Sequence, residues 1–194
     1  MVTISGASLD WHDVSSYFRP NALSSYVVAP DKRLISQKYD PLFDVAVLAD
    51  CSQCPVHPQL KAEFAEYTRK HANTARQFGA KPALFMTWAD KGMPEATSLL
   101  AEAYVQAGNE ANALVIPAGL AFARAIAQRP ELNLYFADGQ HPSQLGTYLA
   151  ACTTYAALFQ RSPVGLSFTG GLDEATARFL QTAAWETVQD FFKP

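Results

Sequence analysis

Short, continuous apolar runs alternate along this chain with longer segments whose apolar residues recur every three or four positions. The runs Asp44-Val45-Ala46-Val47-Leu48-Ala49, Pro82-Ala83-Leu84-Phe85-Met86-Thr87-Trp88 and Ala113-Leu114-Val115-Ile116-Pro117 have no polar alternation, as expected of parallel strands buried on both faces. Between the first two, Leu60, Phe64, Tyr67, His71 and Ala75 keep helical spacing. That predicts a helix over 57–78, stopped by Gly79. Further helices are predicted over 95–108, 119–128 and 143–159, the last with Ser143 as its N-cap. A terminal helix over 173–192 carries the stripe Ala177, Leu180, Ala184, Val188 and Phe191. Val2-Thr3-Ile4 predicts a strand that runs into the turn Ser5-Gly6-Ala7-Ser8. Residues 12–40, punctuated by Pro20 and Pro30, read as helix and loop. Strands alternating with helices from end to end predict a single α/β domain over 1–194, a parallel sheet covered by helices on both faces. No internal repeat or low-complexity linker interrupts it.

Composition confirms the class and narrows the partners. With 49% hydrophobic and 17% charged residues over 194 positions, the chain reads as globular and long enough to bury a core. A net charge of -3 gives no electrostatic case for nucleic acid or an anionic membrane surface. No window approaches the roughly 18 consecutive apolar residues of a membrane span. Met1-Val2-Thr3-Ile4-Ser5-Gly6 lacks the basic and apolar regions of a signal peptide, so the chain as written carries none, and localisation is left open. Cys51, Cys54 and Cys152 are too few and too unevenly spaced for a disulfide scaffold.

Sites in open parallel sheets lie beyond the carboxyl ends of the strands. The segments there are Ser5-Gly6-Ala7-Ser8, Asp50-Cys51-Ser52-Gln53, Thr87-Trp88-Ala89-Asp90 and Pro117-Ala118-Gly119, joined by the loop Asp138-Gly139-Gln140-His141-Pro142-Ser143. Asp138 and His141 stand three apart on that loop. There a carboxylate can orient an imidazole as the base of an acyl transfer. The plainer alternative makes Asp138 a turn cap and His141 an ordinary surface histidine.

The Asp138-to-Ser143 motif, followed by Gly146 and an apolar helix, resembles the last conserved block of the SGNH (GDSL-like) hydrolases. Ser5-Gly6-Ala7-Ser8-Leu9-Asp10-Trp11-His12 resembles their second block, and Leu48-Ala49-Asp50-Cys51-Ser52-Gln53-Cys54-Pro55 the third block of one branch. Thr87-Trp88-Ala89 and Ile116-Pro117-Ala118-Gly119-Leu120-Ala121 are similar to the segments at the fourth and fifth strands. The resemblance implies a three-layer, flavodoxin-like α/β/α fold and hydrolysis of small-molecule or carbohydrate esters through a serine, with no cofactor or metal. It implies His141 as general base, Asp138 as its orienter, and an oxyanion hole from Gly6 and Gln53, with Ser52 close behind. Preorganised donors of this kind contribute about 3–4 kcal/mol each. The family's nucleophile lies in a Gly-Asp-Ser or Gly-Asn-Ser block, on a strand that precedes the second block and all that follows it. The chain is therefore expected to lack that strand, to be N-terminally truncated relative to the family, and to be inactive toward esters by itself. A non-catalytic protein that binds through the remnant cleft is the alternative, and the oligomeric state is left open.

Other signals compete. Cys51-Ser-Gln-Cys54 reads as incidental loop cysteines, as a disulfide or redox pair, or as part of a zinc site short of ligands. His12 and Ser8 either line the cleft or pack at a helix start, His71 is structural or solvated, and Trp88 is core or cleft wall. Ser5, Ser8 and Ser52 lack the strand-to-helix elbow of a serine nucleophile.

Overall fold

The structure, a computed structural model, describes residues 7–19, 25–37 and 41–193. A two-stranded antiparallel hairpin, β1 (Ser25–Val28) and β2 (Leu34–Gln37), precedes three parallel strands, β3 (Val45–Leu48), β4 (Lys81–Phe85) and β5 (Leu114–Ile116). Helices α1 (Lys61–Gln77) and α2 (Ala96–Ala111) form the crossovers of the parallel sheet. Helices α3 (Ala118–Gln128), α4 (Gln144–Phe159) and α5 (Glu174–Phe191) follow it. The sheet runs in the order β3-β4-β5, with Val47 opposite Ala83 and Leu84 opposite Val115.

Side-chain alternation along these strands builds three layers. Leu48, Leu84 and Val115 point to one side and pack against Phe64 of α1 and Leu100 and Tyr104 of α2. Ala83 and Ile116 point to the other and meet Ala156 and Ala157 of α4 and Val188 of α5. A further cluster around Phe122, Leu149 and Leu180 locks α3, α4 and α5 together. The α/β/α layering is that expected from the sequence, and the helix ends agree with their chemistry. Ser143 caps α4 by accepting from the Gly146 N–H at 3.3 Å. Gly79, at φ 82°, turns the chain out of α1.

Two expectations fail, each for a physical reason. The strand over 44–49 is not buried on both faces: Val47 is 46% exposed. It shares the face of Val45, which α4 and α5 cover only toward β4 and β5. The outer edge of β3 has no ladder partner among the described residues. The described part of residues 12–40 is not helix and loop but a single 3-10 turn, Val14–Phe18, and then the β1–β2 hairpin; another 3-10 turn, Leu9–Trp11, comes just before. Pro30 sits in the hairpin turn instead of breaking a helix. That turn is closed by the Lys32 N–H donating to the Ala29 carbonyl at 2.8 Å and the Ala29 N–H to the Arg33 carbonyl at 2.9 Å. The predicted strand Val2-Thr3-Ile4, Ser5 and the candidate oxyanion residue Gly6 lie outside the described residues.

Candidate active site

A clamped hairpin carries the Asp138/His141 pair. Tyr135 and Pro142 form an antiparallel bridge, and the Phe136 N–H donates to the His141 carbonyl at 2.7 Å. Gly139, at φ 72°, makes the reversal between them, a conformation in which a side chain would be strained. Within the turn, Asp138 Oδ1 accepts the backbone N–H groups of Gln140 and His141, both at 2.9 Å. Oδ2 lies 2.7 Å from His141 Nδ1. The amide of Gln140 above all, then the His141 imidazole and amide, hold the Asp138 carboxyl down at about 2. An ionised Asp138 accepts only, so it selects the tautomer with the proton on Nδ1 and leaves Nε2 as the free base. The His141 side chain is 77% exposed, and Nε2 has no hydrogen bond among the described residues. The turn cap and the oriented imidazole, read from the sequence as alternatives, are one arrangement.

Hydrogen bonds join this hairpin to the other segments at the same end of the sheet. Trp88 Nε1 donates to the Gln140 carbonyl at 2.9 Å, and its indole stacks on Phe122 with centroids 4.1 Å apart. Trp88 thus braces the loop. The next brace is the Lys91 N–H on the Gly139 carbonyl at 2.9 Å, and a third is the Tyr135 hydroxyl on the Ala89 carbonyl at 2.8 Å. Immediately before Trp88, the Thr87 hydroxyl reaches the Ser52 carbonyl at 3.2 Å. Asp50, at the end of β3, accepts the Leu9 N–H at 3.0 Å and the Cys51 N–H at 2.8 Å, both on Oδ1. His71 Nε2 holds the Leu9 carbonyl at 2.8 Å. Short hydrogen bonds therefore tie the 87–91 segment to both the 136–142 hairpin and the 50–54 turn, and the 50–54 turn to the 8–12 segment.

The individual candidates differ in how they stand on this rim. Ser52 is exposed, while Gln53 is half-buried with an Nε2 that is buried and has no hydrogen-bond partner among the described residues. A buried N–H left unpaired is costly, which sets this amide apart from the other side chains of the turn. Ser8 donates to Asp10, and His12 Nδ1 pairs with the Tyr17 hydroxyl at 3.0 Å, so both are engaged locally. His71 is structural and buried, and Cys51 and Cys54 are joined in a disulfide with Cα atoms 5.2 Å apart. Sequence reasoning missed Thr87 as a link, Asp50 as an anchor and Tyr104 as a floor. The Tyr104 phenol is fully buried, with its pKa pushed up by that burial, beside Thr87 and the Asp50 backbone. Asp50 had a visible signal, a carboxylate at the end of a buried apolar run; Tyr104 had none.

Two predictions arise here. Asp50→Ala should cost about 2–3 kcal/mol in chemical denaturation, because it strands the Leu9 and Cys51 amides. Asp50→Asn keeps an acceptor oxygen and should cost little, and equal losses in both variants would contradict the anchoring role. Burial lowers the pKa of His71 below its ordinary 6.5. A base depressed in the folded state contributes stability above its unfolded pKa and loses it as pH falls through the folded value. The stability gap between wild type and His71→Gln should therefore narrow from pH 7.5 to 5. Taking the difference removes Asp50, whose carboxyl is raised by burial and favours the fold as pH falls.

No family model matches the chain, and no curated protein matches it. Among solved structures, a DUF4886 family protein from Bacteroides uniformis aligns over 98% of this chain and 82% of its own, with 19% identity and a TM-score of 0.68. A candidate SGNH hydrolase from Slackia heliotrinireducens matches over 59% of this chain and 65% of its own, with 26% identity and a TM-score of 0.48. The chain has the fold of the Bacteroides uniformis protein, a mixed α/β architecture built on a three-stranded parallel sheet.

Proposed function

We propose that this chain carries the base half of an ester-hydrolysing centre of the SGNH type, acting on acyl or acetyl esters of small molecules or carbohydrates. The observation that carries the reading is the Asp138–His141 pair, fixed by two backbone amides on a braced loop, with Nε2 free at the carboxyl end of the sheet. His141 takes the proton from a serine as that serine attacks the ester carbonyl, and returns it to the leaving alcohol. Asp138 holds the imidazole in the competent tautomer and stabilises the imidazolium. By the family resemblance Gln53 is the side-chain donor for the oxyanion, with Ser52 beside it and Gly6 as the backbone donor; Gln53 Nε2 has no hydrogen-bond partner among the described residues. By the family resemblance the serine belongs to a Gly-Asp-Ser or Gly-Asn-Ser block, which residues 1–194 do not contain, so residues 1–194 alone should not turn over p-nitrophenyl acetate.

The test is fluorophosphonate labelling of the protein expressed with the sequence encoded ahead of residue 1. A serine labelled in that segment, with labelling lost in His141→Ala, supports the reading. Turnover by residues 1–194 alone that His141→Ala abolishes would relocate the nucleophile into this chain. A longer protein that neither labels nor responds to His141→Ala would end the hydrolase reading.

A further inference from the structure

We propose that Asp50, Cys51 and Cys54 form a binding site for a thiophilic divalent cation, zinc in type, which the disulfide keeps closed and a thiol reductant opens. One ligand atom from each of the three residues lies within 4.8 Å of the others. Each is fixed by its surroundings. Asp50 uses Oδ1 for the two backbone amides and leaves Oδ2 without a hydrogen bond among the described residues. Cys54 is 2% exposed, and its backbone N–H donates to Cys51 Sγ at 3.0 Å. An amide aimed at sulfur supports a thiolate there once the S–S bond is gone.

Charge decides between the uses of such a cluster. A thiolate that attacks disulfides needs a cationic neighbour or a helix N-terminus to lower its pKa. Cys51 and Cys54 instead have the Asp50 carboxylate beside them, and the titratable groups bearing on Asp50 are Asp10 and His12. Two thiolates and a carboxylate in this space repel strongly. Three states remove that repulsion: the neutral disulfide, the protonated dithiol, and a dication shared by all three groups; only the last two follow reduction, and the dication competes with the thiol protons. Zinc takes sulfur at about 2.3 Å and carboxylate oxygen at about 2.0–2.2 Å in a tetrahedron, which sets the two sulfurs roughly 3.8 Å apart. That spacing needs only a small opening of the turn. Water fills the fourth position.

The chemistry balances without another oxidant. Two thiols of the reductant give two electrons and two protons to the Cys51–Cys54 bond; the S–S bond breaks, and the reductant leaves as its own disulfide. Zinc then displaces both thiol protons to solvent and forms two Zn–S bonds and one Zn–O bond. Ser52 and Gln53 lie between the two cysteines, so loading the site would move the same turn that carries the candidate oxyanion donors. The cation site itself stands independently of the hydrolase reading.

The test uses zinc alone. Protein reduced with dithiothreitol and desalted without air is titrated against a chromogenic chelator, beside the oxidised protein. The reduced form should retain about one equivalent and the oxidised form none. Asp50→Asn, which preserves the backbone anchors, should weaken retention at least tenfold, and Cys51→Ser or Cys54→Ser should abolish it. If the cysteine variants misfold, the reduced wild type still decides: zinc should slow iodoacetamide modification of Cys51 at least tenfold. Cys152 is buried and does not confuse the count. Equal zinc retention by the reduced and oxidised proteins, or no protection of Cys51, overturns the proposal.

Discussion

Asp138→Asn should leave the fold intact and cost the serine-bearing enzyme about 10⁴-fold in kcat, the scale on which a triad fails when its histidine takes the wrong tautomer. The substitution is informative because Asp138 does two things with two oxygens. An asparagine carbonyl can replace Oδ1 as acceptor for the Gln140 and His141 amides, so the turn survives. Its NH₂ then faces His141 Nδ1, where the wild type has an acceptor at 2.7 Å. The imidazole must accept on Nδ1 and carry its proton on Nε2, the nitrogen that needs to be free. Nitrogen-15 spectra of the imidazole read this without any activity: the Nδ1–H tautomer in wild type, Nε2–H in the variant. Asp138→Ala should additionally loosen the 136–142 hairpin, because both amides lose their acceptor. An unchanged tautomer in Asp138→Asn, or undiminished turnover, would show that Asp138 is a turn cap and nothing more.

The second large effect concerns the fold under that loop. A Cβ on Gly146 would run into the Leu134 carbonyl oxygen and come within 2.8 Å of the Phe122 ring. Neither obstacle can yield easily. The Leu134 carbonyl accepts the Ser143 N–H at 2.9 Å, which ties the start of α4 to the strand side of the hairpin, and Phe122 is stacked under Trp88. Gly146→Val should therefore cost about 3 kcal/mol or more, the upper range of overpacking. Thermal unfolding should show a fall of roughly 10 °C for a chain of this size. Gly165→Ala is the control. A Cβ there meets nothing within 4 Å, although its φ of 89° carries a conformational cost. If Gly146→Val costs no more than Gly165→Ala, close packing at α4 is not what seats the hairpin.

The layers of this fold were legible because parallel strands and amphipathic helices write different periods. The runs at 44–49, 82–88 and 113–117 gave β3, β4 and β5 to within a few residues. The Asp138/His141 pair was legible because both partners share one short loop, where spacing stands for distance. What escaped depended on contacts across the chain. Val47 reads like Val45 in sequence, yet it is exposed because the helices that cover that face sit over the neighbouring strands. The hairpin at 25–37 was hidden by Pro30, whose φ suits a turn as well as it ends a helix. Thr87 and Trp88 read as strand end and rim, Trp88 as core or cleft wall, but nothing local indicates that their side chains end on Ser52 and Gln140. Cys51 and Cys54 sat at a spacing compatible with several chemistries, and the fold joins them in a disulfide with the Asp50 carboxylate within 4.8 Å.

Thr87 and Trp88 are consecutive, and one grips the 50–54 turn while the other grips the 136–142 hairpin. The span between those two loops is consequently set by a single backbone step of about 3.3 Å plus two side-chain lengths. It works as a fixed gauge: neither loop can drift from the other unless β4 itself shifts. Variation at this rim would then have to come from what is mounted outside the gauge, such as the segment around Trp11. The span between the two loops would stay constant while its ornament changes.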